Sequence, residues 1–257
     1  MPVEPIDLDR LPHDLDDGVG ALARLGLVVL ATDQTIEHEW RRIFSHLDGV
    51  ALYQARIWND VMITPESLRA MEQDIASTTR LIMPVLPLDV VAFGCTSAAM
   101  VLGEEVIARR IHEVRPDSKV TTPIGAALQA LRTMGAKRPA VLTPYGPAVN
   151  EIVRAYIEAR GLAVPRFGTF AEEDDSRAAR IKAESVRDAA IALGRDPSVD
   201  AVFVSCTSLR VIEVIDEIEA AIGKPVTSSN HAMAWQALRL AGVTTPLAAL
   251  GRLFARH

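Results

Sequence analysis

Short runs of apolar, often β-branched residues recur along the chain, and each is followed by a longer stretch whose apolar positions return every three or four residues. The first run, Leu25–Ala31 (LGLVVLA), predicts a buried strand. Thr35–Phe44 (TIEHEWRRIF) then predicts a helix, with acidic residues at the positive end of its dipole. Gly49–Arg56 predicts a second strand. Thr64–Leu81 predicts a helix opened by TPES, where Thr64 is the cap and Pro65 the first helical residue. Asp89–Phe93 is strand again and Thr96–Arg110 helix. The rhythm continues with strands at Lys119–Thr121, Pro139–Thr143, Ala163–Gly168, Ala201–Ser205 and Pro225–Thr227. Helices are expected at Gly125–Met134, Pro147–Arg160, Ser176–Leu193, Ser208–Ile222 and Ala232–Ala241. Short apolar strands alternating with helices predict βαβ units and a mostly parallel sheet.

The pattern also repeats residue by residue. Asp89–Ile107 reads DVVAFGCTSAAMVLGEEVI, and Asp200–Ile218 reads DAVFVSCTSLRVIEVIDEI. Aligned on their cysteines, both run from an aspartate through an apolar strand to CTS and an amphipathic helix. Beyond each come a lysine (Lys119 or Lys224), a short strand and a helix containing QALR, at Gln129–Arg132 and Gln236–Arg239. Two related halves predict an α/β fold of two pseudo-symmetric, Rossmann-like lobes with mostly parallel sheets and the active site between them. The expected division is an arm at residues 1–20, a first lobe at 21–123 to which 226–257 return, and a second lobe at 124–225.

Composition then narrows the function classes. The 257 residues are 49% hydrophobic and 23% charged with a formal charge of −6, a normal globular balance long enough for a sizeable core. Basic residues are interspersed with acidic ones, so no nucleic-acid track is expected. Apolar runs such as Leu81–Leu88 are broken by prolines and are too short to span a membrane. The acidic, proline-bearing start MPVEPIDLDR lacks the layout of a signal peptide, and a cytoplasmic location is expected. Two cysteines cannot staple a chain of this size, and there is no CxxC, HExxH or histidine cluster to suggest a metal. No GxGxxG or GxxxxGK[ST] follows a strand, which removes the dinucleotide and P-loop readings.

The candidate chemistry lies in the repeated CTS. Ligands of open α/β sheets sit beyond the carboxyl ends of the strands, where both Cys95 and Cys206 fall. Each is expected at a helix start, a setting that favours thiolate. Thr96, Ser97, Thr207 and Ser208 would cap those helices and donate hydroxyl hydrogen bonds to a carboxylate. Two thiols facing each other across a cleft suit proton abstraction beside a carboxylate with delivery from the opposite face, or thiolate addition to an activated double bond. The plain alternative is that both are core cysteines at strand ends. Gln34, in the loop after the first strand, and Tyr145, in TPYGP after Pro139–Thr143, are further binding candidates. Asp175, in the EEDDS run, could rim the site. Neither a cofactor nor a metal is required.

At GCTS (Gly94–Ser97) and SCTS (Ser205–Ser208) the chain resembles the Asp/Glu racemase superfamily, which includes amino-acid racemases, maleate cis–trans isomerase and arylmalonate decarboxylase. TDQTIEHE (Thr32–Glu39) corresponds to the maleate isomerase motif rich in Ser and Asn, and within the superfamily the chain resembles the ectoine utilisation protein A branch. The resemblance implies a cofactor-free site between two lobes and, by likeness to the maleate isomerase branch, Cys95 as nucleophile, Cys206 as acid and Tyr145 matching that branch's tyrosine. Gln34 and Asp175 stand at or near its two substrate-binding asparagines. An acid at the second place implies a nitrogen-bearing substrate rather than a plain dicarboxylate. The expected function is a cofactor-independent two-cysteine racemase or isomerase acting next to the carboxylate of a small, amino-substituted acid, in ectoine degradation. An arylmalonate-type decarboxylase or a maleate cis–trans isomerase is the alternative, and outside enzymes a two-lobe small-ligand-binding protein. The partners expected are a small carboxylate substrate, no nucleic acid and no membrane, with association into a homo-oligomer left open.

Overall fold

The apolar runs assemble into two parallel sheets. In a computed structural model, which describes residues 11–257, β1 (Ala23–Leu30), β2 (Val50–Ile57), β3 (Val90–Gly94) and β4 (Lys119–Thr121) pair in the order β2-β1-β3-β4. β5 (Pro139–Thr143), β6 (Phe167–Thr169), β7 (Ala201–Val204) and β8 (Val226–Ser228) pair in the order β6-β5-β7-β8. Every pairing is parallel, so the second sheet copies the topology of the first. The repeated sequence is thus a repeated sheet. The inner strands β3, β5 and β7 are buried along their whole length, as expected where helices cover both faces.

The helices of the first half are α1 (Ile36–Phe44), α2 (Pro65–Ala70), α3 (Ile75–Leu81), α4 (Thr96–Leu102), α5 (Glu104–His112) and α6 (Pro123–Thr133). Those of the second are α7 (Pro147–Glu158), α8 (Asp175–Ala178), α9 (Ala183–Gly194), α10 (Ile215–Ile222), α11 (Ser229–Leu240) and α12 (Gly251–Arg256). Thr64 opens α2 as expected, its hydroxyl accepting the Ser67 N–H while Ser67 returns the bond. β8 closes the second sheet, and α11 after it packs against α1, α6 and β3, so the chain returns to the first sheet through a helix. The two QALR helices, α6 and α11, meet directly, and Gln236 donates to Gln129 across the contact. Trp40 on α1 is fully buried and its indole N–H donates to the Asn230 carbonyl on α11 at 3.1 Å. Burial of such a side chain contributes roughly 2–3 kcal/mol.

Several expected elements are shorter or broken. The helix expected at Thr96–Arg110 divides at Gly103, whose φ of 88° is open to glycine and costly for other residues. The helix expected at Ser176–Leu193 is α8 and α9 separated by Ala179–Lys182, and α2 and α3 are joined by a 3₁₀ turn at Met71–Asp74. Edge strand β6 begins only after Pro165, which has no N–H to give a ladder. α12 was not anticipated. Of the expected arm, residues 1–10 lie outside the described residues, while 11–19 are exposed and form no helix or strand. No helix among the described residues is long and apolar enough to cross a membrane.

Candidate active site

Cys95 directly follows β3 and is the cap residue of α4, its sulfur accepting the Ala98 N–H at 3.4 Å. The Ser97 hydroxyl lies 3.7 Å from the same sulfur. Gly94 permits this approach to β1, because a Cβ there would stand 2.8 Å from the Val28 carbonyl oxygen. Cys206 follows β7 in the equivalent place, and its sulfur accepts the Ser208 N–H at 3.4 Å. Both thiols are free, 3% exposed, and line one small cavity. Thr96, Ser97, Tyr145, Asp175 and Thr207 line it too, and Leu30, Ile63, Leu68 and Met71 give it an apolar wall.

The helix expected from Ser208 starts only at Ile215, so Cys206 is followed by turns rather than by a helix. Buried backbone outside a helix needs other partners, and distant residues supply them. Glu39 of α1 accepts the N–H groups of Val211 and Ile212 at 2.6 and 2.9 Å. Asn230 of α11 donates to the Thr207 carbonyl at 2.7 Å, and the Thr35 hydroxyl to that of Ser208 at 2.9 Å. The expectation of resting thiolates is also corrected. Burial pushes both thiols up to about 12, and the N–H and hydroxyl donors around them offset this only in part. Tyr145, beside Cys206 and Ser97, is held well above the ordinary phenol range by burial and then by the negative charge of the thiolates. It therefore remains a neutral donor near neutral pH and favours the charged form of Cys206. Its carbonyl is fixed by Asn150 at 2.7 Å and by the Thr169 hydroxyl at 2.6 Å.

Gln34 is exposed and outside the cavity, contrary to expectation. Its neighbour Asp33 points inward instead, 2% exposed, because one carboxylate oxygen caps the first turn of α1 through the Thr35 and Ile36 N–H groups at 2.7 and 2.8 Å. Its other oxygen, Oδ2, makes no well-formed hydrogen bond although it is buried, and the Thr207 hydroxyl near this carboxyl favours its charged form. Burial raises this carboxyl from 3.8 to about 7, with the charge of Asp175 adding to the rise. Ser208 does not line the cavity but acts behind it, donating to Asp175 at 2.7 Å. The other oxygen of Asp175 accepts from Thr32, whose hydroxyl is in turn bonded by Asn59 at 2.7 Å. Asp60 also lines the cavity, from an exposed position. Asp33, Asn59 and Asp60 were missed from sequence. The Asp-x-Thr spacing at a helix start was the available signal for Asp33.

The segment after β2 meets α8 over this cavity. Ile63 N–H donates to the Glu173 carbonyl at 3.2 Å, and Asp175 N–H to that of Val61 at 3.1 Å. Residues from both halves thus close one chamber, and its lining includes no Lys, Arg or His among the described residues. No group of three or more His, Cys, Asp or Glu placed to hold a metal ion occurs among the described residues.

Comparison with known proteins gives a consistent picture. The profile of the arylmalonate decarboxylase family matches residues 62–254. Maleate isomerase of Nocardia farcinica is 28% identical over 241 residues, covering 90% of this chain and 95% of the relative. A crystal structure of maleate isomerase from Pseudomonas putida S16 with maleate superposes with a TM-score of 0.84 at 24% identity, over 91% of this chain and 97% of that one, a likeness of fold. A cysteine-to-serine variant of the Nocardia farcinica enzyme, described with a covalently bound succinylcysteine intermediate, gives a TM-score of 0.83 at 27% identity, over 91% and 99% of the two chains.

Proposed function

Because the chain belongs to the arylmalonate decarboxylase family, we propose that it is a cofactor-independent isomerase of the racemase type. In it Cys95 and Cys206 exchange a proton at the carbon next to the carboxylate of a small acid. The observation that carries this reading is that two free thiols, from equivalent positions after β3 and β7, line one cavity. One sulfur, as thiolate, takes the proton from the α-carbon, and the electron pair passes into the carboxylate as enolate-like charge. The other thiol returns a proton to the opposite face and becomes the thiolate for the reverse turnover. The Ser97 and Thr207 hydroxyls are available to the developing charge, and the Tyr145 phenol favours thiolate at Cys206.

Cis–trans isomerisation is the second reading, favoured by the succinylcysteine intermediate of the Nocardia relative. Here Cys95 would add to an alkene as Cys206 gives a proton to the neighbouring carbon. Rotation about the new single bond and elimination would return both the proton and the thiolate. Decarboxylation, the reaction in the family's name, would instead release carbon dioxide. We further propose ectoine degradation as the chain's setting, on the resemblance to the ectoine utilisation protein A branch.

The test is proton NMR in deuterium oxide with a panel of small 2-substituted acids. Wild type is expected to exchange the α-hydrogen, and Cys95→Ser and Cys206→Ser each to lose it by about 10²-fold or more, since serine lacks a comparably acidic nucleophile. Each single variant should lose exchange from one enantiomer preferentially. For the alkene route, intact-protein mass after quenching should show one substrate added at Cys95. Full turnover by the doubly substituted protein would sink both routes.

A further inference from the structure

We propose that Ser229 and Asn230, which open α11, are positioning residues that hold the two thiols against each other across the chamber, Ser229 through Thr96 and Asn230 through Thr207. This rests on the two-thiol reading above and names what sets the geometry it needs. α11 begins where β8 ends and packs against α1 and β3, and its first turn reaches both CTS motifs. The Thr96 hydroxyl donates to the Ser229 hydroxyl at 2.8 Å, and the Asn230 amide donates to the Thr207 carbonyl at 2.7 Å. Thr96 and Thr207 directly follow Cys95 and Cys206, and all four bonded residues are buried. The Thr207 hydroxyl also approaches the Gly94 carbonyl, just before Cys95, at 3.5 Å. Two consecutive residues of one helix thus fix the residue after each thiol.

These bonds are not ones that α11 needs for itself. Its cap is Ser228, whose hydroxyl accepts the His231 N–H at 3.2 Å, so the next two side chains are released for other partners. Asn230 also donates to Glu39 at 2.7 Å, and the two acceptors together dictate which end of its amide faces them. Its Oδ1 is consequently buried with no partner among the described residues. A side chain kept only to fill space would not carry that cost, because an apolar residue of similar shape avoids it. The first half offers a contrast. Counted back from the shared QALR, Ser229 and Asn230 match Thr122 and Pro123. Thr122 bonds Glu104 instead, at 2.7 Å, and proline has no side-chain donor. The brace therefore exists once, in the segment that returns to the first sheet, and serves both thiols.

Proton removal from one face and return to the other needs two sulfurs at a fixed separation, and misplacement by about 1 Å can cost on the order of 10²-fold. Neither Ser229 nor Asn230 lines the chamber, whereas Thr96 and Thr207 do, so the pair acts through the threonines and not on the substrate. Releasing one bond frees one thiol to shift out of the burial that suppresses its thiolate.

Iodoacetamide alkylation, followed at each cysteine by peptide mass spectrometry from about pH 6 to about pH 10, tests this. Asn230→Ala should speed alkylation of Cys206 by about fivefold or more and leave Cys95 within about twofold, and Ser229→Ala should do the reverse. General loosening would speed both thiols alike and cannot produce that crossed selectivity. Ser229→Thr, which keeps the hydroxyl, should leave both rates within about twofold of wild type. Asn230→Ser, with the same expected selectivity, takes the place of Asn230→Ala should that variant not fold. In α-hydrogen exchange from whichever acid of the panel wild type turns over, both alanine variants should lose about tenfold or more in kcat with KM within about threefold, because the chamber lining is unaltered. Equal acceleration at both thiols, or none in either variant, would overturn the brace. Crossed alkylation with no exchange by wild type would sink the proposed reaction and leave the brace standing. Exchange by wild type with alkylation unmoved in the variants would do the opposite.

Discussion

Between Thr32 and Gln34 the chain carries a carboxyl with two unlike oxygens, one capping α1 and one buried without a well-formed hydrogen bond. That asymmetry has a measurable consequence for Asp33. The unfolded chain gives up this proton near the ordinary value of 3.8 and the folded protein near 7. Between those values the native state holds more protons, so this group makes stability decline as pH rises, by on the order of 4 kcal/mol at most. His231 acts in the opposite sense. Burial lowers it to about 4, so its contribution is lost as pH falls below its ordinary 6.5. Asp33→Asn keeps an acceptor for the Thr35 and Ile36 N–H groups and removes only the first titration. The variant should therefore gain on wild type steadily from about pH 4 to about pH 7.5 in urea unfolding. A stability difference that stays constant across that range would show that Asp33 does not titrate there. A buried, destabilised carboxyl is a local cost of the kind that functional sites carry.

At the scale of elements, the stretch after Cys206 is the informative one. Its apolar positions recur with helical spacing, yet the backbone from Thr207 to Val214 is turns. Glu39, itself buried and raised above the ordinary carboxyl range by that burial, accepts two of its N–H groups and one from Asn230. One side chain on α1 thus shapes the loop that bears the second thiol. Glu39→Ala would leave the Val211 and Ile212 N–H groups buried without partners, at about 2–5 kcal/mol. Amide hydrogen exchange should show protection lost at these two residues, and turnover should fall through misplacement of Cys206. Glu39→Gln, which keeps an acceptor oxygen, should lose markedly less of both. Unchanged protection in the alanine variant would mean that the loop holds its shape by packing alone.

Across the whole molecule, the two sheets are tied together by α11 and by the pairing of residues 61–63 with 173–175. α11 is buried on nearly every side, with Met233, Trp235 and Leu238 packed against α1, α6 and β3. Its removal would bare the apolar faces of both halves, at roughly 1.5–3 kcal/mol for each large side chain. We propose that residues 21–123 and 124–225 are structural repeats that do not fold separately, because the returning segment belongs to both. Urea unfolding followed by tryptophan fluorescence and by circular dichroism should give a single coincident transition, and a chain ending at Lys224 should show none. Two resolved transitions would establish independent lobes.

What could be read from the sequence was what is local or repeated. Strand runs, the Thr64 cap and the duplicated CTS are properties of neighbouring residues. They sufficed for a two-sheet parallel α/β fold and for bringing Cys95 and Cys206 to equivalent strand ends. Thr96, Ser97, Tyr145, Asp175 and Thr207 followed from the same ends and line the chamber. The tertiary structure alone decided the rest. Asp33 and Gln34 are adjacent in one loop, and only the capping of α1 turns the first inward and leaves the second exposed. Burial, which outweighs the helix-start argument at both thiols, depends on what packs over a residue and not on its neighbours in the chain. The turns after Cys206 and the acidic lining of the chamber arise from partners far away in sequence, such as Glu39 with Val211 and Thr32 with Asp175. No periodicity encodes such contacts, because they exist only once the two sheets have been brought together.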